Sequence, residues 1–267
     1  MRLSIRHSTR YRFAEPVRYG LQQVRVRPKS TRQQSVIRWS TSVDGGQREV
    51  TFTDHHRNAV ELIGFHRDGT ELTLTSEGEI EVSDTHGVLG PHEGDTPLWL
   101  FERVTPRTTP GPGTRAILKE LEQGEPLERL HALSALIRDR VRYEVGASEP
   151  DWSAEDALTA GAGVCQDHTH IFLAAARALG LPSRYVSGYL MLDATTTQDA
   201  MHAWAEAHID RLGWVGFDIS NGISPDQRYV RVATGLDYGE AAPVSGMRRG
   251  GRGETLHVSI SVARQEQ

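Results

Sequence analysis

The chain predicts an α+β fold in two parts. An N-terminal antiparallel β domain precedes a core in which a helix packs on an antiparallel sheet. Three observations carry this prediction. Short alternating runs punctuated by turn signals occupy the first part of the chain. A stretch dense in Pro and Gly then interrupts them. Amphipathic helical patterns follow, and strand patterns return after them. With 267 residues there is length for two ordinary domains. The expected division is 1–90 for the β domain, 91–114 for the connector and 115–267 for the core.

In the first part, Leu3 and Ile5 alternate with Arg2, Ser4 and Arg6. Val24 to Arg27 alternates and stops at Pro28, which cannot donate to a strand ladder. Runs at 36–39, 50–53, 71–75 and 79–82 continue the pattern. The turns Asp44-Gly45-Gly46, Asp68-Gly69 and Glu77-Gly78 punctuate them. Pro91, Pro97, Pro106, Pro110 and Pro112 then mark the connector. Beyond it, 115–123 reads as a short helix closed by Gly124. Leu127, Leu130, Leu133, Ile137 and Val141 recur at three and four, predicting about four turns of amphipathic helix. Ser153 followed by Asp156 approximates a capping box and opens another. An Ala/Leu-rich run ending at Gly180 and Pro182 predicts a helix over about 165–179. Strand patterns resume at 185–192, 203–209, 214–219, 229–232 and 256–262. The segment 245–253, with Arg248-Arg249-Gly250-Gly251-Arg252, reads as a mobile loop.

Composition excludes several classes. Apolar residues make up 37% and charged residues 24%, enough to bury a core. No window approaches the ~18 apolar residues of a membrane helix, and the start has no apolar leader region. A single cysteine permits no intrachain disulfide, so a cytoplasmic location is expected. The net charge of −5 names no partner. Residues 1–40 nonetheless hold nine Arg and one Lys against one acid, Glu15. A nucleic-acid patch and a transit peptide both compete for that signal. Arg25 and Arg27 alternate with Val24 and Val26, so a strand face with arginine at its polar positions is the favoured reading, and nucleic acid is not the expected partner.

The chemistry centres on Cys165, in Gly161-Ala-Gly-Val-Cys165-Gln-Asp, where the predicted helix begins. The start of a helix carries partial positive charge and free N–H groups. Those features favour a thiolate and can donate to an oxyanion. A thiol nucleophile needs a base, and the base needs an orienting group. His202 lies in one predicted strand, and Asp218 ends the next. Adjacent antiparallel strands would set them side by side. A buried, inert cysteine is the competing reading of Cys165 taken alone.

These segments together carry a family resemblance. Gly163-Val-Cys165-Gln-Asp167, then Arg177-Ala-Leu-Gly-Leu-Pro, His202-Ala-Trp204 and Gly213-Trp-Val-Gly-Phe-Asp218 resemble the core of the bacterial transglutaminase-like proteins, in the papain-like cysteine-enzyme superfamily. Tyr11, Gln23, Arg25, Pro28, Gln34, Asp54 and Asn58 resemble that family's N-terminal β domain. The resemblance implies a papain-like core with Cys165 as nucleophile, His202 as base and Asp218 as orienting carboxylate. It also implies a peptide or protein substrate. The chain departs from the family's pattern at His168-Thr169, at Ile219-Ser220 and at His55-His56-Arg57.

Other clusters carry less. His168 and His170 lie two apart on a helix and point about 200° from each other, which suits separate structural roles better than one metal. His55 and His56, as neighbours on a strand, would face opposite ways. No phosphate-binding loop, dinucleotide fingerprint, zinc spacing or calcium loop occurs, so neither cofactor nor metal is expected. Three functional readings follow in order. The first is a cysteine peptidase or amidase working through a thioester. The second is a protein-glutamine aminoacyltransferase, and the third a non-catalytic binding module using the basic N-terminal domain. Trp204 and Trp214 are expected in the core rather than along an amine channel, which favours hydrolysis. The oligomeric state is not legible.

Overall fold

The computed structural model describes residues 1–265 and contains two antiparallel sheets and five helices among them. Strand β1 runs from Arg2 to Arg27 and organises the first sheet. Its inward positions Leu3, Ile5, Tyr11, Phe13 and Val17 are buried, as strand alternation requires. The first half of β1 pairs with β5 (Gly69–Val82) on one side. The C-terminal strand β15 (Thr255–Arg264) pairs on the other. The second half pairs with β4 (Ala59–Phe65) and β14 (Val244–Gly250). The register shifts between Arg12 and Val17, where the ribbon changes neighbours and curls. Strands β2 (Gln34–Asp44) and β3 (Gly46–Thr53) extend this sheet beside β5 and β4. The short β10 (Thr197–Gln198) joins it at β15.

The N-terminal arginines lie on this sheet and meet acids across it. Arg2 and Arg38 both bind Glu79, Arg6 binds Glu77, and Arg10 and Arg12 reach Glu71. The positive run in the sequence is thus matched by glutamates contributed by β5. Segment 245–253 differs from the predicted loop: β14 pairs with β1 from Val17 to Val24. Backbone ladder bonds override the loop-like composition there.

The second sheet has the order β13–β9–β11–β12–β6. Its strands are β6 (Val88–Gly90), β9 (Ser183–Leu190), β11 (His202–Ile209), β12 (Gly213–Phe217) and β13 (Tyr229–Gly235). A two-residue parallel ladder joins β7 (Arg142–Tyr143) to β8 (Ala162–Gly163). The connector forms two short 3-10 helices, Leu98–Glu102 and Pro106–Thr108.

Helix α1 (Pro112–Glu120) begins three residues before the predicted start. Proline suits a first helical position, and Glu155 reaches across to accept from the N–H groups of Gly113 (2.8 Å) and Thr114 (2.9 Å). Helix α2 (Pro126–Arg140) buries Leu130, Leu133 and Ile137, the predicted stripe. Helix α3 (Ala154–Ala160) carries the Ser153–Asp156 capping box and ends at Gly161, whose φ of +63° is left-handed. Helix α4 (Cys165–Ala178) is buried from Asp167 through Arg177, enclosed by α1, α2 and α3 and by strands β9 and β11. Helix α5 (Tyr238–Ala241) is a single turn capped by the Asp237 side chain.

Two side-chain amides of the first sheet's region dock on β13, an edge strand of the second sheet. Gln34 donates to the Arg231 carbonyl (2.7 Å) and accepts from its N–H (2.8 Å). Asn58 does the same for Thr234 at 2.7 and 2.9 Å. Each amide stands in for a missing strand neighbour, so the edge is satisfied without a further ladder. Among the described residues no helix is long and apolar enough to cross a membrane.

Candidate active site

Cys165 is the first residue of α4 and is partly buried. Val164 precedes the helix and offers no capping side chain; Asp167 and His168 N–H turn back to its carbonyl, and the donors of Cys165 and Gln166 carry no side-chain cap. Asp167 shapes the approach: its carboxylate accepts from Val164 N–H (2.7 Å) and from Ser148 Oγ (2.6 Å). Gly163 makes room for this, since a Cβ there would lie 2.8 Å from the Asp167 side chain.

His202 opens β11, and Asp218 directly follows β12. The antiparallel register that pairs Ala205 with Phe217 brings them together at that end. His202 Nε2 meets Asp218 Oδ2 at 2.6 Å, leaving Nδ1 for another partner. Burial works against the charged imidazole. The hydrogen bond and charge of Asp218, together with Cys165 nearby, outweigh it and lift His202 from 6.5 to about 10. Burial likewise opposes the Asp218 carboxylate, yet hydrogen bonds from His202, Tyr229 and Asn221 hold it below the ordinary range. Tyr229 Oη donates to Oδ2 at 2.7 Å, and Asn221 Nδ2 does so at 2.7 Å.

Cys165 and His202 line one cavity of about 790 Å³. Both sheets wall it: His7, Thr9 and Tyr11 come from β1, and Leu256 and Val258 from β15. Tyr143, Val145 and Leu192 add apolar surface that is partly exposed to solvent. Trp204 and Trp214 are each 2% exposed and do not line the cavity; Trp204 stacks on His202 from the core side. Gly188 permits the Trp204 packing, because a Cβ there would meet the indole at 2.3 Å.

The other helix histidines separate, as their spacing predicts. His168 Nε2 donates to the Val141 carbonyl (2.8 Å), which leaves Nδ1 to accept from Ser220 Oγ (2.8 Å). Burial lowers its pKa. His170 Nε2 accepts from Tyr238 N–H at 3.2 Å, and burial pushes it down to about 3. The structure thus joins His168 to Ser220, two positions at which the sequence departs from the family pattern. Tyr229 carried no signal in the sequence, because β13 reaches Asp218 only through the fold.

Comparison with known proteins agrees with this architecture. Residues 115–219 match the transglutaminase-like superfamily, and residues 3–81 match the bacterial transglutaminase-like N-terminal region. An uncharacterized protein of Mycobacterium leprae is 29% identical over 277 residues, covering 98% of this chain and 99% of its own length. An uncharacterized protein of Mycobacterium bovis is 28% identical, over 92% of this chain and 87% of its own. Among solved structures, a suggested cysteine protease from Cytophaga hutchinsonii superposes with a TM-score of 0.79 at 21% identity, over 100% of this chain and 92% of that one. At that identity the likeness is one of fold. With both regions of one family matched in order along its length, the chain belongs to the transglutaminase-like superfamily and carries that family's bacterial N-terminal region.

Proposed function

We propose that the protein is a cysteine hydrolase that cleaves peptide or amide bonds through a thioester. The observation that carries this reading is the 2.6 Å His202–Asp218 contact on the cavity that also holds Cys165 at a helix start. His202 takes the thiol proton, and Asp218 holds the ring so that Nδ1 is the nitrogen offered to sulfur. The thiolate attacks the carbonyl carbon. The oxyanion is held by N–H groups at the start of α4. The tetrahedral species collapses, the C–N bond breaks, and His202 returns the proton to the departing amine. Water then adds to the thioester with His202 as base, releasing acid and thiol. A cytoplasmic location belongs to the same reading, on the ground of the single cysteine.

Hydrolysis is favoured over transfer because transfer needs a site that admits an amine and excludes water at ~55 M. The two tryptophans beside the pair in sequence are packed in the core instead. The test is incubation with a glutamine-containing peptide and millimolar dansylcadaverine. Hydrolysis predicts mostly free acid. Product carrying mostly the amine would replace this reading with an aminoacyltransferase.

A further inference from the structure

Away from the catalytic cavity, His55, His56 and Glu240 form a second cluster of metal-ligating groups. Strand alternation would set the two histidines on opposite faces. The structure puts them instead in the turn between β3 and β4, with ring centroids 4.1 Å apart. Arg57, at φ +62°, completes that turn. One donor atom from each of His55, His56 and Glu240 lies within 4.8 Å of the others.

We infer that these three residues bind a single transition-metal ion of the zinc class. Ligands around one tetrahedral zinc lie roughly 3.3 Å apart, so the widest pair needs to close by at most about 1.5 Å. His56 Nε2 and Glu240 Oε2 are already 2.8 Å apart. The His56 side chain is 1% exposed, and its other nitrogen, Nδ1, is buried with no hydrogen-bond partner. The ligating nitrogen is therefore Nε2, the one that faces Glu240, and burial fixes the ring in that orientation. An ion joining the His56–Glu240 contact changes the ring's bonding without moving it far.

The turn is held in place before any ion arrives. Asp54 Oδ1 accepts from the N–H groups of His56 (2.9 Å) and Asn58 (2.8 Å). Thr96 Oγ1 donates to the His55 carbonyl at 2.6 Å, and Lys29 Nζ donates to the His56 carbonyl at 3.3 Å. Two imidazoles and one carboxylate suit zinc, cobalt or nickel and disfavour calcium or magnesium, which prefer oxygen sets. His55 is exposed and lines a surface hollow of about 710 Å³, so an ion would approach from the His55 side, with water as its fourth ligand. The ligands come from the β3–β4 turn and from α5, so a bound ion would tie the first sheet's region to the segment that begins with Tyr238, a residue of the catalytic cavity wall.

The test uses the full chain with Cys165→Ala, which removes a competing thiol ligand. Zinc is titrated against a chromophoric chelator, and thermal unfolding is followed with zinc or with EDTA. The expected result is one equivalent bound with a Kd of about 10 µM or tighter, a modest value for a structural zinc site. Zinc should raise the melting temperature, and magnesium and calcium should not. Adding His55→Ala or Glu240→Gln should weaken zinc at least tenfold and remove the thermal shift. Unchanged melting in EDTA would show that those variants are folded. Should Glu240→Gln fail to fold, the exposed His55→Ala decides alone. No binding tighter than 10 µM, an equal response to magnesium, or binding unchanged by His55→Ala would overturn the inference and leave an ordinary His56–Glu240 ion pair.

Discussion

Strand β11 and helix α4 both bury histidines, and they hold them in opposite states. His202 on β11 is raised to about 10, whereas His170 on α4 is lowered to about 3 and His168 is lowered with it. Burial is common to all three and always disfavours the charged ring. The difference lies in the partner. His202 meets a carboxylate, while His168 meets a carbonyl and a hydroxyl, and His170 a backbone N–H. Of these three rings, only the one backed by a carboxylate is held in the charged form. Without one the ring is a neutral packing piece with a fixed tautomer. The sequence motifs assign these roles, and the hydrogen-bond partners give the physical reason for them.

Breaking the carboxylate side of this contrast should have the largest effect. His202→Ala should lower kcat by roughly 10³-fold or more, and Asp218→Asn by roughly 10²–10⁴-fold, with the fold retained. Asp218→Asn should also move the alkaline limb of kcat/KM downward from near pH 10, because the imidazolium loses its stabilising charge. A pH–rate profile measures this. An alkaline limb that stays in place would show that Asp218 does not set the state of His202.

The neutral side should appear in acid stability. His7 and His170 sit at about 4 and about 3 in the folded protein, against 6.5 as ordinary histidines. Between pH 6.5 and 4 the unfolded chain takes up protons that the folded rings refuse, so unfolding becomes easier as pH falls. At pH 5 the loss is about 2 kcal/mol per ring. His202 works the other way: its contribution is present below pH 6.5 and is lost as pH rises toward 10. Urea unfolding at pH 5, 6.5 and 9 should give the highest stability in the middle. A flat profile from pH 6.5 to 5 would contradict the neutral burial of His7 and His170.

The smallest effect should follow His168→Phe. It leaves the Val141 carbonyl and the Ser220 hydroxyl without their shared partner, costing about 1–3 kcal/mol of stability. Turnover should fall less than tenfold, since Asp218 keeps Asn221 and Tyr229. Urea denaturation and steady-state kinetics together check this. A loss as large as that of His202→Ala would erase the distinction between the two regions.

Much of this is legible in the sequence, because it rests on local patterns. The helix predicted over 165–179 is Cys165–Ala178, and the adjacent strands bring His202 to Asp218. What escaped depends on partners far along the chain. Tyr229 reaches Asp218 from β13, although β9 and β11 separate β13 from β12 in the sheet. Ser220 finds His168 on α4, and Gln34 finds the free edge at Arg231. The separate short runs at Leu3 and Val24 are one strand, since β1 keeps pairing while it changes neighbours between Arg12 and Val17. Segment 245–253 looked like a loop because arginine and glycine carry no strand alternation, yet Val17 to Val24 supply its ladder.

The most direct measurement is the mass of the enzyme during turnover. Rapid mixing with an activated peptide ester, acid quench and intact-mass analysis would capture the intermediate. A mass increase equal to the acyl group, mapped to the peptide containing Cys165 and missing in Cys165→Ala, is the predicted result. Steady product release with no adduct on Cys165, or turnover retained by Cys165→Ala, would contradict the thioester mechanism.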